Sequence, residues 1–202
     1  MPKIDNVDIK IFVNIVSKYE QESIKEILYS DRFPWHYQAD IAKKGNKVQK
    51  RPGFSHWFVV DGKENSNGSI ITKQLVTNTC KKIKKPNLQI YNARTFLQMP
   101  LNENYLSNNS KTNHKEDSPH IDVYIPHIVF LYYVNDCDGE TIIYDYKSES
   151  KNDIPFYQDL KIVKRVKPKQ GRMIVFEGRV WHSSSQPTID TRCIINFNMI
   201  SR

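Results

Sequence analysis

The chain has 202 residues, of which 39% are hydrophobic and 11% aromatic. At roughly 150 residues per domain this predicts one domain, 1–202, and it excludes a chain disordered throughout. Thirty Lys and Arg against 22 Asp and Glu give a net charge of +8. That favours anionic partners (nucleic acid, acidic lipid, small carboxylates or phosphates) without choosing among them.

The longest uninterrupted apolar run, Ile128 to Val134, is far short of the roughly 20 residues a spanning helix needs, so no membrane association is expected. The opening MPKIDNVDIK alternates charge with apolar residues and has no apolar h-region, so no export signal is expected and a cytoplasmic location is. Cys80, Cys137 and Cys193 are odd in number and widely spaced, which predicts three ordinary thiols rather than a disulfide framework. No internal repeat is present.

The first half mixes helices and strands. A helix is predicted around residues 16 to 29, with Ser23 and Glu26 fitting a capping box. Asn67-Gly68-Ser69 opens a second helix, in which Ile71, Leu75, Cys80 and Ile83 recur at helical spacing. Lys81, Lys82, Lys84 and Lys85 close it and Pro86 stops it, so KKIKK reads as a solvated helix end complementing the macrodipole. The second half is predicted to be strands: Leu88 to Met99, then IDVY, IVFLYYV, TIIYDY, LKIVKRV, RMIVFEG and TRCIINFNMI, separated by turn-rich segments. Such spacing indicates a sandwich or barrel. Tyr105 to Pro119 is polar and turn-rich, which predicts a loop acting as a lid. Lys161, Lys164, Arg165, Lys167, Lys169 and Arg172 cluster where basic and apolar residues partly alternate, which predicts an exposed strand face.

The chemistry is carried by a few residues. In a strand, His120 and Asp122 share one face and could grip one cation. His182 lies 182 − 122 = 60 residues further on, after another apolar strand. Two imidazoles and one carboxylate on strands make a facial triad that leaves three positions open on Fe(II). Arg192 opens the last strand; an arginine entering an apolar barrel needs an anionic partner, and a small dicarboxylate would satisfy it.

The stretch from about Leu88 to Ser201 resembles the iron(II)/2-oxoglutarate-dependent dioxygenases, in particular their prolyl-4-hydroxylase-like branch. The matching text is PHID, VFLYYVND, GETIIYDY, VKPKQGRMIVFEG, VWHSSSQP and TRCIINFN, in the family's order. FPWHY and HWF further upstream are similar to small members common in phage and marine viral genomes. The resemblance implies a mainly β fold: a double-stranded β-helix (jelly-roll) core over 88–202, with 1–87 as supporting helices and strands. It implies His120, Asp122 and His182 as iron ligands and Arg192 as partner of the distal carboxylate of 2-oxoglutarate. Tyr133 matches a tyrosine that reaches the same carboxylate. Thr141 matches the threonine of a GGxT motif whose first glycine is Asp138 here. Asn196 and Asn198 share the strand face of Arg192 and are expected to line the pocket; Tyr91, Arg94 and Gln98 are candidates for a further polar contact to the cosubstrate.

The implied activity is hydroxylation of a peptidyl proline, or another peptidyl or small-molecule carbon. Fe(II) and O2 are used, 2-oxoglutarate is decarboxylated to succinate, and ascorbate is a candidate reductant. Asp122 stands where halogenating members carry a small residue, so hydroxylation is favoured over halogenation. The RxNxxxR motif of the nucleic-acid demethylase branch is absent, which ranks nucleic acid below a peptidyl or small-molecule partner. A viral source would place the protein in the host cytoplasm. Two other readings stand beside this one: a non-catalytic jelly-roll binding or accessory protein, and a cupin-like metal enzyme that does not use 2-oxoglutarate.

Overall fold

The computed structural model describes residues 7–41, 51–102, 104–105 and 116–201. In chain order its elements are β1 (Lys10–Phe12), α1 (Lys18–Leu28), β2 (His36–Gln38), β3 (Gly53–Val60), β4 (Lys63–Glu64), α2 (Ser69–Ile83), β5 (Leu88–Gln98), β6 (Ile128–Tyr133), β7 (Thr141–Lys147), β8 (Ile162–Val166), β9 (Met173–Glu177), β10 (Val180–Ser184) and β11 (Arg192–Ser201). A single 3-10 turn, Tyr157–Asp159, precedes β8.

Two antiparallel sheets face each other. The larger runs β1-β9-β6-β11-β5-β3-β2, with β4 on β3; the smaller runs β10-β7-β8. This is the expected jelly roll. The expected division at residue 87 falls between α2 and β5, and the large sheet crosses it, because β3 pairs with β5 from Gly53↔Gln98 onward.

Period-2 alternation explains the layers. On β11, Cys193, Ile195, Phe197 and Met199 face one way and pack with Ile24 and Leu28 of α1 and Ile71, Leu75 and Cys80 of α2. Ile194, on the opposite face, packs between the sheets with Leu131, Tyr133, Ile143, Val166, Ile174 and Phe176. Arg192, Asn196 and Asn198 share that inward face by the same alternation. Helices of 11 and 15 residues are marginal on their own. A fully buried leucine adds about 2 kcal/mol relative to exposure. Leu28 and Leu75, both completely buried, therefore make packing on the sheet the main support of α1 and α2.

Local details correct three expectations. The capping box of α1 is Ser17 with Glu20, not Ser23 with Glu26: Glu20 N donates to Ser17 Oγ, and Ser17 N donates to Glu20 Oε2. Ser23 sits inside the helix, where its neighbours' amides are already bonded. IDVY is not a strand; the isolated bridges beside it are Glu116 to Ser185 and His120 to His182, both ahead of Ile121. The segment Val180–Ser184, read only as a flank of His182, is itself strand β10. α2 begins at Ser69 as expected and ends at Ile83, capped by Lys84, which takes the left-handed conformation (φ 57°) and donates to Lys81 O. The predicted lid, Tyr105 to Pro119, falls for the most part outside the described residues. β8 is exposed from Ile162 to Arg165, as expected of the basic strand, and Arg165 pairs with Glu116 and Glu140. All three cysteines are free and buried. No helix among the described residues is long and apolar enough to cross a membrane.

Candidate functional site

His120, Asp122 and His182 come together between the sheets. Their ligand atoms lie within 4.8 Å of one another. Asp122 Oδ1 is 3.9 Å from His120 Nε2, and Asp122 Oδ2 is 3.9 Å from His182 Nε2. The backbone makes this meeting: His120 N donates to His182 O (2.8 Å) and His182 N to His120 O (2.9 Å), so the two histidines face each other as one bridged pair.

Each imidazole is oriented from behind. His120 Nδ1 lies 3.0 Å from Ser118 O, and His182 Nδ1 lies 3.0 Å from Val180 O. A carbonyl oxygen only accepts, so each Nδ1 donates and each Nε2 is the ring nitrogen turned toward the carboxylate. This is the way metal-binding histidines are commonly fixed. Phe176 meets the His182 ring edge-on at 5.1 Å and closes that side.

Asp122 is held from three directions. Arg94 Nη2 donates to Oδ1 at 2.7 Å; Asn196 and Asn198 each donate from Nδ2 to Oδ2, at 2.7 and 3.0 Å. Burial by itself would raise the carboxyl pKa. Arg94 foremost, then the two histidines and the Asn198 hydrogen bond, instead hold it well below the usual carboxylate range. The group is therefore an anion poised for a cation. Arg94 is fixed in turn, with its guanidinium 4.9 Å from the Trp57 ring centroid and 4.5 Å from that of Phe96.

A cavity of about 180 Å³ opens beside this cluster, lined among others by Phe96, Leu131 and Ile194. Its far end is Arg192, 3% exposed. Arg192 donates from Nε to Gly139 O, from Nη1 to Gln98 Oε1 and from Nη2 to Thr141 Oγ1, all at 2.9 Å. All three acceptors are neutral, and among the described residues no carboxylate pairs with this cation. A guanidinium has five N–H groups. Three are used here, which leaves one on each terminal nitrogen, the fork that a carboxylate accepts bidentately. Gly139 is required for this arrangement: a Cβ there would sit 2.9 Å from Arg192 Cδ and from Ser185 O. Asp138, in place of the glycine expected before it, ties down the neighbouring turn by accepting from the amide and hydroxyl of Thr188.

The structure places Tyr133 one bond behind this end of the cavity rather than in its wall. Its hydroxyl donates to Thr141 Oγ1 at 2.7 Å, and burial pushes its pKa up to about 12. Gln98 is oriented by Asp117, which accepts its amide at 3.1 Å and also accepts from Ser184 Oγ and the buried Arg51. Sequence reading misses Asp117 and Arg51. They lie 66 residues apart and carry no motif, so only the fold brings them together. Of the candidates on β5, Arg94 and Gln98 line the cavity and Tyr91 does not.

No protein-family model matches the sequence, and no curated protein shows significant sequence similarity to it. The fold is nonetheless shared with solved structures of non-heme oxygenases. The alpha-ketoglutarate-dependent epimerase SnoN of nogalamycin biosynthesis superposes with a TM-score of 0.64 at 12% identity, covering 96% of this chain and 79% of its own. A prolyl hydroxylase from Trichoplax adhaerens, solved with a hypoxia-inducible-factor peptide, gives 0.60 at 16% identity, covering 96% and 83%. The viral collagen prolyl hydroxylase of Paramecium bursaria Chlorella virus-1 gives 0.54 at 11%, covering 98% of both chains.

Proposed function

We propose that this protein is an Fe(II)- and 2-oxoglutarate-dependent dioxygenase that hydroxylates a peptidyl or small-molecule carbon. His120, Asp122 and His182 are the iron ligands, and Arg192 anchors the distal carboxylate of 2-oxoglutarate. The observation that carries this reading is the pairing of two unlike ends in one cavity. One end offers two imidazole Nε2 atoms and an ionised carboxylate; the other offers a buried arginine whose partners are all neutral.

The residues fit the groups. Two imidazoles and one carboxylate with open positions suit Fe(II), and the free guanidinium fork suits a carboxylate. Bound together, iron and 2-oxoglutarate would supply oxidation of a substrate C–H bond by O2, with succinate and carbon dioxide as coproducts. The protein's part is positional. Ser118 O and Val180 O fix the imidazole tautomers; Gln98, Thr141 and Gly139 aim Arg192; and Phe96, Leu131 and Ile194 keep the cavity apolar between its two polar ends. Tyr133 supports Thr141. The hydroxylase reading, and the prolyl-4-hydroxylase-like branch within it, draws on the sequence motifs and on the presence of prolyl hydroxylases among the structural neighbours.

The test needs no substrate. Fe(II) and then 2-oxoglutarate are added anaerobically to metal-free protein, and the visible metal-to-ligand charge-transfer band of the chelate is followed. The expected result is a band in the wild type that His182→Ala abolishes. Iron binding without a band would favour a cupin-like metal enzyme, and binding of neither would leave a jelly-roll binding module.

A further inference from the structure

Asp122 has two oxygens, and the structure does not treat them alike. An ionised carboxylate offers about four in-plane lone-pair positions, two on each oxygen. Oδ2 accepts from Asn196 Nδ2 and Asn198 Nδ2, so both of its positions are filled. Oδ1 accepts from Arg94 Nη2 alone, so one position is left.

We propose that Asn196, Asn198 and Arg94 lock Asp122 as a one-oxygen ligand that presents only Oδ1 to a divalent cation, an inference that rests on reading the cavity as a metal centre. Three features make the arrangement a lock rather than a passing contact. First, a carboxylate only accepts, so both asparagine amides must turn their Nδ2 toward it; flipping either would set carbonyl against carboxylate. Second, Asn196 holds this orientation although its Oδ1 is buried without a partner among the described residues, a state that an unconstrained amide avoids. Third, Arg94 is packed against the Trp57 and Phe96 rings and cannot readily swing away from Oδ1.

The consequence is a matter of counting. Three ligand atoms leave three positions on a six-coordinate ion. A carboxylate that closed with both oxygens would leave two, too few for a chelating keto acid and O2 together. Asn196 and Asn198 are thus positioning residues: they keep the ion open without touching it.

The probe is Co(II), whose visible spectrum reports coordination. The first measurement is a crystal structure of Co(II)-loaded wild-type protein, in which Asp122 is expected to reach the ion through Oδ1 with both amide bonds to Oδ2 retained. Contact through Oδ2, or through both oxygens, overturns the proposal. The second measurement compares Asn196→Leu and Asn198→Leu, which remove one donor each at similar volume. Either should bind Co(II) more tightly, because Oδ2 becomes able to join. Either should also bind 2-oxoglutarate to the Co(II) form about tenfold more weakly, equivalent to about 1.4 kcal/mol. A merely structural role would move the two affinities down together, and that result, or no movement in either, also overturns the lock. Wild-type protein that binds no Co(II) or Fe(II) refutes the metal reading itself. Wild-type protein that binds metal and 2-oxoglutarate while the variants match it refutes the lock alone.

Discussion

Replacing Arg192 with methionine keeps much of the side chain's bulk and removes its charge and all five donors. In the native structure three of those donors are spent on Gly139, Gln98 and Thr141, leaving two for a ligand carboxylate. A hydrogen bond to a charged group contributes about 1.5–3 kcal/mol, so two contribute about 3–6 kcal/mol. At about 1.4 kcal/mol per factor of ten, 2-oxoglutarate should bind on the order of 10² to 10⁴ times more weakly to Arg192→Met. Fe(II) affinity should be unchanged, because none of the Arg192 contacts involves His120, Asp122 or His182. The assay is an anaerobic titration of the charge-transfer band with 2-oxoglutarate at saturating Fe(II), alongside a metal titration without it. An unchanged 2-oxoglutarate affinity would refute the assignment of this end of the cavity, and a parallel loss of iron binding would show that the substitution disturbs the whole site.

Three further outcomes are expected. Tyr133→Phe removes the hydrogen bond to Thr141 but no direct contact with the cavity, so 2-oxoglutarate affinity should fall by no more than about tenfold, one ordinary hydrogen bond's worth; a loss as large as that of Arg192→Met would put its hydroxyl on the ligand. Gly178→Ala would bring a Cβ to 2.0 Å from His127 Nε2. Overpacking of this kind costs about 1–3 kcal/mol, so the melting temperature should drop by roughly 2–12 °C; an unshifted melt contradicts the contact. Burial lowers the His127 pKa from its ordinary 6.5. The unfolded chain therefore binds more protons below that value, and the stability contributed by neutral His127 is present above pH 6.5 and lost as pH falls through it. Urea unfolding of metal-free protein at pH 7.5 and 5.5 should show this loss, and His127→Phe should show less of it.

Some of this was legible in the sequence for clear reasons. His120, Asp122, His182 and Arg192 stand in short motifs, and β-strand alternation on TRCIINFNMI placed Asn196 and Asn198 on the inward face. What those asparagines do there was not legible, since their partner Asp122 is 74 and 76 residues away. IDVY differs because β-branched and aromatic composition describes what a strand tolerates, whereas a strand also needs a partner along its length, and the bridges here, at Glu116 and His120, stop before Ile121. The error in the α1 cap has a different origin: Ser23-x-x-Glu26 and Ser17-x-x-Glu20 are equivalent as patterns, and only the start of the buried face at Gln21 and Ile24 separates them. The Arg51–Asp117 pair behind Gln98 left no local trace at all.

The reciprocal backbone bonds between His120 and His182 carry a consequence for how such a chain can change over time. These two residues are 182 − 120 = 62 positions apart, yet each is the other's hydrogen-bond partner. The intervening turns that touch neither residue nor its strand neighbours therefore have no direct part in setting the distance between the rings. They can lengthen, shorten or be exchanged while the clamp stays closed. Variation is free at the rim of the barrel and forbidden at its waist, so related chains are expected to diverge in what surrounds the cavity long before they diverge in what it holds.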